Sequence, residues 1–277
     1  MTAVILATAC AVVYGTADFF GGLATRRTQV LSVVVLSQIA GLVLILGLLP
    51  LLPGTLSDRA LLWGLAAGLS GAAGLALFYR ALATGVMSVV APTTAVTSAA
   101  LPVVFGLATG ERPRFWALVG VALALGSVLL VSKDGTTGGR ASVGALLTSL
   151  AAGAGFGGFF ILLAMAPADA GLWPLVGARL SSVSVVALVA LVIRRSLRPR
   201  AGSLHIIVAA GVLDMAANVL YLLAQRQGLL SLVAVLVSLY PASTLLLARQ
   251  VLGERLRGVQ VTGVACALGA VALIAVA

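Results

Sequence analysis

Asp214 stands near the middle of a long apolar run, and Asn218, Tyr221 and Gln225 follow it at +4, +7 and +11. That spacing places all four on one face of an α-helix. If the run crosses a lipid bilayer, an ionisable residue at its centre costs about 2.5–3.5 kcal/mol on insertion scales, so it needs a partner, a wet cavity or a function. Two readings fit the stripe. It is either a hydrogen-bonded seam between helices or the wall of a cavity, and a seam seldom needs a carboxylate. A carboxylate held away from water takes up a proton more readily, so one residue that accepts either a proton or a cationic solute could couple the two in exchange.

Other polar residues in apolar surroundings join this set as candidate solute-binding groups: Asp18, Tyr14, Arg179 and Tyr240. Asp18 lies closer to a helix end and is followed by Gly21 and Gly22, so it either lines the cavity or reaches interfacial water. Arg179 lies two turns into its run, where pairing with Asp214 or Asp18 would offset its burial. Tyr240 adjoins Pro241, where a missing backbone donor predicts a kink. Kinks are likewise expected at Pro92 and Pro102, with neighbouring Thr and Ser hydroxyls satisfying the freed carbonyls. Arg80 and Arg226 sit near helix ends, where long side chains snorkel to headgroups.

The elements that must position these groups follow from composition. With 61% hydrophobic and 9% charged residues and a mean hydropathy of +1.20, the chain belongs to the membrane class. A bilayer core of about 30 Å takes roughly 20 apolar residues per helix. Ten runs of that size occur, at 3–24, 30–50, 60–82, 87–109, 115–132, 142–164, 172–193, 204–225, 229–249 and 258–276. They lack the period-two alternation of a barrel, and lipid offers an open strand no partner. The expectation is an all-α integral membrane protein of ten transmembrane helices.

The ten spans divide in two. Sliding the sequence by 143 residues lays Gly85 on Gly228, Ser88 on Ser231, Gly110, Glu111 and Arg112 on Gly253, Glu254 and Arg255, Arg114 on Arg257, Gly120 on Gly263 and Gly126 on Gly269, without a gap. This is an internal duplication, with one repeat at 1–135 and the other at 141–277. Five spans per repeat is odd, so the second enters the membrane from the opposite side. Inverted five-helix repeats are an arrangement of secondary transporters, whose site lies at the midplane between them. Each Glu-Arg pair, Glu111 with Arg112 and Glu254 with Arg255, is expected to cap a loop. Gly64, Gly68, Gly71, Gly153 and Gly157 are spaced to let helix backbones approach.

Several function classes are excluded or made remote. Gly153, Gly155 and Gly158 spell G-x-G-x-x-G, but within an apolar helix rather than after a strand, so no dinucleotide site is expected. There is no G-x-x-x-x-G-K-[ST] loop, hence no ATP-driven transport. The Gly-x-Gly-Asp signature of intramembrane aspartyl proteases is absent, since Asp214 follows Gly211, Val212 and Leu213. Cys10 and Cys266 lie in apolar runs as small hydrophobes, and His205 alone makes no ligand set. Neither a metal nor a cofactor is expected. The net charge of +10 sits in short loops, where anionic lipid headgroups rather than nucleic acid are the partner. No Lys or Arg precedes the first run, which is expected to remain as a helix and not to be cleaved.

Taken together, the Gly-Glu-Arg after a Pro-bearing span in each half, the Gly-rich fifth spans, Tyr14-Gly15 and its counterpart Phe156-Gly157 make the chain resemble the drug/metabolite transporter superfamily and its EamA-type ten-helix members. The resemblance implies a multi-pass carrier of small organic solutes, often an exporter, in a cytoplasmic membrane of bacterial type. It further implies a central cavity lined by spans one, three, four, six, eight and nine, with protons as a candidate coupling ion. Asp18 departs from relatives that carry Ser or Asn there. A non-transporting membrane assembly or a lipid-scrambling protein is the alternative. The two signals for orientation disagree. Loop charge, with Arg26, Arg27, Lys133, Arg140, Arg194, Arg195, Arg198, Arg200, Arg255 and Arg257 on one side against Arg59, Arg112 and Arg114 on the other, puts both termini outside. The resemblance implies both termini in the cytoplasm.

Overall fold

The computed structural model describes residues 1–25, 27–84, 87–131, 143–193, 197–200, 202–252 and 257–276. They fold as helices α1 (Thr2–Thr25), α2 (Val30–Leu48), α3 (Asp58–Thr84), α4 (Met87–Ala108), α5 (Phe115–Val131), α6 (Val143–Ala164), α7 (Trp173–Ile193), α8 (Leu204–Gln225), α9 (Leu230–Val237), α10 (Tyr240–Leu252) and α11 (Gly258–Val276), with no strand among the described residues. Eight of the described segments, with α9 and α10 taken as one, are long and apolar enough to cross a membrane, and α4 and α5 carry shorter apolar stretches. Ten crossings fit this series. The outer face is apolar, with Ile5, Val43, Leu62, Val104, Leu191 and Leu268 all exposed, as a surface meeting lipid tails must be. The chain is a multi-pass membrane protein.

The ninth span is where the structure departs from the expected single helix over 229–249. It breaks between Val237 and Tyr240, because Pro241 has no N–H to continue the ladder. Three-residue turns bridge the gap, from Leu239 N to Leu236 O at 3.2 Å and from Ala242 N to Leu239 O at 3.0 Å. By contrast, α4 continues through Pro102 without interruption. There Thr97 Oγ1 donates to Thr93 O at 2.7 Å and Ser98 Oγ to Ala95 O at 2.9 Å. The side chain of Pro92 lies outside the described residues.

Small residues decide which helices approach closely. A Cβ added at Gly68 would collide with the Ala178 carbonyl of α7, and one added at Gly153 would fall on Thr97 and the Thr94 carbonyl of α4. Gly71 instead meets the Phe159 ring, 3.3 Å from where its Cβ would be. These are the packing seams expected from the glycine spacing. The resulting pattern pairs α1 with α8, α3 with α6, α2 and α3 with α7, α4 with α6, and α1 with α10. Off to one side, α5 packs on α11, where Ser127 Oγ donates to Gly263 O at 2.7 Å.

One end of the bundle, where α4, α6 and α8 finish, is held by polar contacts. Thr55 Oγ1 donates to Asp169 Oδ2 at 2.5 Å. Arg226, expected to snorkel to headgroups, donates instead from Nη2 to the Gly171 carbonyl at 2.6 Å. Glu111 turns away from the expected loop-capping role with Arg112. Its carboxylate accepts from Leu230 N at 2.6 Å, Ser231 N at 3.1 Å and Ser231 Oγ at 2.5 Å. A carboxylate there satisfies orphan donors and meets the positive end of the helix dipole. The corresponding residues Glu254 and Arg255 lie outside the described residues, as do Arg26, Lys133, Arg140, Arg194, Arg195, Gly85 and Gly253.

Candidate functional site

A cavity of about 840 Å³ runs through the middle of the bundle. Its walls come from α1, α3, α4, α6, α8 and the broken ninth span, as the resemblance implied, and also from α2 and α7. Lining positions on α10 and α11 reach Ala248 and Gln260, towards the end opposite the Glu111 contact. Among the described residues, the charged ones of the lining are Asp18, Arg179 and Asp214.

At mid-depth, three helices contribute a polar cluster. Arg179 on α7 is the centre: its Nη2 donates to Asp214 Oδ2 of α8 and its Nη1 to Gln38 Oε1 of α2. Ser182, one turn further along α7, donates to the same Gln38 oxygen at 3.1 Å. Asn218 Nδ2 donates to the Asp214 carbonyl at 2.8 Å and lies 3.5 Å from its Oδ2. The Arg179 side chain is 10% exposed and that of Asp214 39%, so the guanidinium is packed between helices while the carboxylate still meets the lumen. Backbone approach makes the cluster possible. A Cβ at Gly211 would overlap the main chain of Ser37 on α2, and one at Gly41 would lie 3.4 Å from Arg179 Nε.

Nearer the Gln260 end, the wall is aromatic and acidic. Tyr14 of α1 and Tyr240 of α10 face each other with ring centroids 6.3 Å apart. Thr244 Oγ1 donates to Gly15 O at 3.0 Å and Ser243 Oγ to Ala11 O at 2.9 Å, tying α10 to α1. A side chain at position 15 would overlap Ser243 and the Tyr240 carbonyl, which is why glycine follows Tyr14. Asp18, one turn beyond Tyr14, is exposed on this wall. It also lines a smaller pocket of about 180 Å³ that shares Thr244 and Ala248. Across the lumen, Phe78 and Phe156 meet edge-on at 6.3 Å.

Six of the seven residues singled out from the sequence therefore share one cavity: Asp214, Asn218, Asp18, Tyr14, Arg179 and Tyr240. Tyr221 stands behind the wall, fully buried. Its ring lies 4.6 Å from that of Phe160, and its hydroxyl donates to the Phe160 carbonyl at 3.1 Å. Gln225 is likewise not among the lining residues. Gln38, Ser182 and Gln260 are polar lining residues that sequence reasoning missed, and Gln38 is the one that meets Arg179. It is an amide in the otherwise apolar run of the second span, so the census that found Asp214 would have found it.

Residues 143–276 match the sequence model of the EamA-like transporter family. A protein known by its crystal structure superposes with a TM-score of 0.81 over 99% of this chain and 98% of that one, at 18% identity, a likeness of fold. No curated protein sequence matches significantly.

Proposed function

We propose that the chain, whose residues 143–276 match the EamA-like transporter family, is a secondary transporter exporting small organic solutes by alternating access. The observation that carries this reading is the central cavity. Its volume of about 840 Å³ suits a small-molecule site, and it places an ion pair and a further carboxylate within a bundle whose outside is apolar. Such groups inside a membrane mark a solute or ion path.

Two inverted five-helix repeats, 1–135 and 141–277, would supply the moving parts. The packing pattern supports this, for exchanging each helix with its counterpart five spans away maps α1 against α8 onto α6 against α3. The same exchange maps α2 against α8 onto α7 against α3, and α1 against the ninth span onto α6 against α4. A rocking motion of one repeat against the other would open the two ends in turn. Contacts of Glu111, Arg226 and Thr55 hold one end, while the lining residues run towards the other. Loop charge puts that other end in the cytoplasm, which favours loading from inside and hence export. Energy would come from a gradient or from exchange, with protons as the candidate coupling ion.

The test is counterflow in liposomes. Purified protein is expected to accelerate uptake of a labelled organic solute into vesicles preloaded with the unlabelled compound. Movement of fluorescent phospholipid between leaflets with no solute uptake would overturn the reading in favour of lipid scrambling.

A further inference from the structure

We propose that the cavity selects organic cations with a flat apolar body, and that Asp18 is the residue that holds the positive charge. The inference rests on the reading of this cavity as the solute site. Of the three charged residues in the described lining, Arg179 and Asp214 neutralise each other, Gln38 accepts a further hydrogen bond from Arg179, and Asn218 Nδ2 lies 3.5 Å from the Asp214 carboxylate. Asp18 makes no hydrogen bond or ion pair among the described residues. Among the described residues, the lumen therefore carries one negative charge without a paired cation.

The surroundings of that charge favour a particular ligand chemistry. Tyr14 lies one helical turn before Asp18 on α1, and Tyr240 faces Tyr14 from α10. Aromatic faces attract cations, more strongly where water is displaced. Phe78 and Phe156 supply flat apolar surface across the lumen. A solute with a positively charged head and a ring can place the head at Asp18 and the ring among these side chains. An anion finds no equivalent among the described residues, where the one lining cation, Arg179, is 10% exposed and already engaged. A neutral solute leaves the carboxylate without a counter-ion, so discrimination has a repulsive as well as an attractive part.

Three probes of matched size test the charge preference: trimethyl(2-phenylethyl)ammonium, 3-phenylpropanamide and 3-phenylpropanoate. Binding to purified protein is read by calorimetry and by thermal shift. The quaternary ammonium is expected to bind at least about tenfold more tightly than the amide or the carboxylate, a margin that one cation–π and ion-pair site supplies. Asp18→Asn should bring cation and amide to within about threefold of each other, whereas Asp18→Glu should retain the preference. Both variants are first checked for an unchanged melting curve. Equal or tighter binding of the carboxylate, no binding of the ammonium compound, or an undiminished preference in Asp18→Asn would overturn the proposal. Counterflow with the same ammonium compound separates this proposal from the transport reading. Asp18-dependent binding without uptake upholds the site and sinks the transporter. Uptake with no charge preference does the reverse.

Discussion

Replacing Asp214 by asparagine tests whether the Arg179–Asp214 pair holds α7 and α8 together. The amide keeps the size of the carboxylate and its ability to accept a hydrogen bond, so what is lost is the charge that balances Arg179. Removing one partner of a buried pair costs about 3–5 kcal/mol, because the other charge is left uncompensated. Here the guanidinium is buried at 10% exposure while the carboxylate is 39% exposed to the lumen. Water in the cavity screens part of the interaction, which brings the expected loss to about 2–3 kcal/mol. Arg179→Gln should cost less, about 1–2 kcal/mol, since the remaining Asp214 can be hydrated. The double variant should lose less than the sum of the two, with a coupling of about 1–2 kcal/mol. Reversible unfolding in mixed micelles measures all three. The reasoning is refuted if Asp214→Asn is as stable as the wild type yet no longer binds solute. Asp214 would then be a ligand for the solute and not a brace between helices.

Other outcomes follow from the same geometry. Glu111→Gln should cost about 1 kcal/mol by weakening the helix cap, seen as faster hydrogen exchange at the amides of Leu230 and Ser231. Tyr221→Phe should cost about 1 kcal/mol of stability through the lost bond to Phe160 O and leave solute affinity unchanged; a shift in affinity would place Tyr221 in the lumen after all. For orientation, loop charge predicts that alkaline phosphatase fused at the C-terminus is active and that a fluorescent protein fused there is dark. The opposite pair of signals would put the termini in the cytoplasm.

Helix number and the shared face of Asp214 and Asn218 were legible because both depend on local periodicity. The same wheel failed at Tyr221. A spacing of +7 keeps a residue at nearly the same angle round the helix but moves it two turns along the axis, to where Phe160, itself a lining residue, packs against the Tyr221 ring. Periodicity gives angle, and depth comes from the neighbouring helix. Pro241 announced a kink, but the interruption lies just before it, since the missing donor frees a carbonyl in the preceding turn. The partners of Glu111 and Arg226 were illegible for a different reason. A Glu next to an Arg reads as a local pair, whereas the donors at Leu230 and Ser231 stand about 120 residues away and become neighbours only through the packing of one half on the other.

That separation bears on how such a chain could have arisen. Glu111 belongs to the first half and the helix it caps to the second. A half-length ancestor could have made the same contact only with another molecule of itself, each copy lending its carboxylate to a helix of the other. Such reciprocal lending is what an isologous two-fold interface requires. Fusion of two such copies would fix the stoichiometry and let them diverge, so that an acid such as Asp18 could be acquired on one side of the pathway alone; pairing Tyr14 with Phe156 puts the apolar Phe160 at its place in the other half.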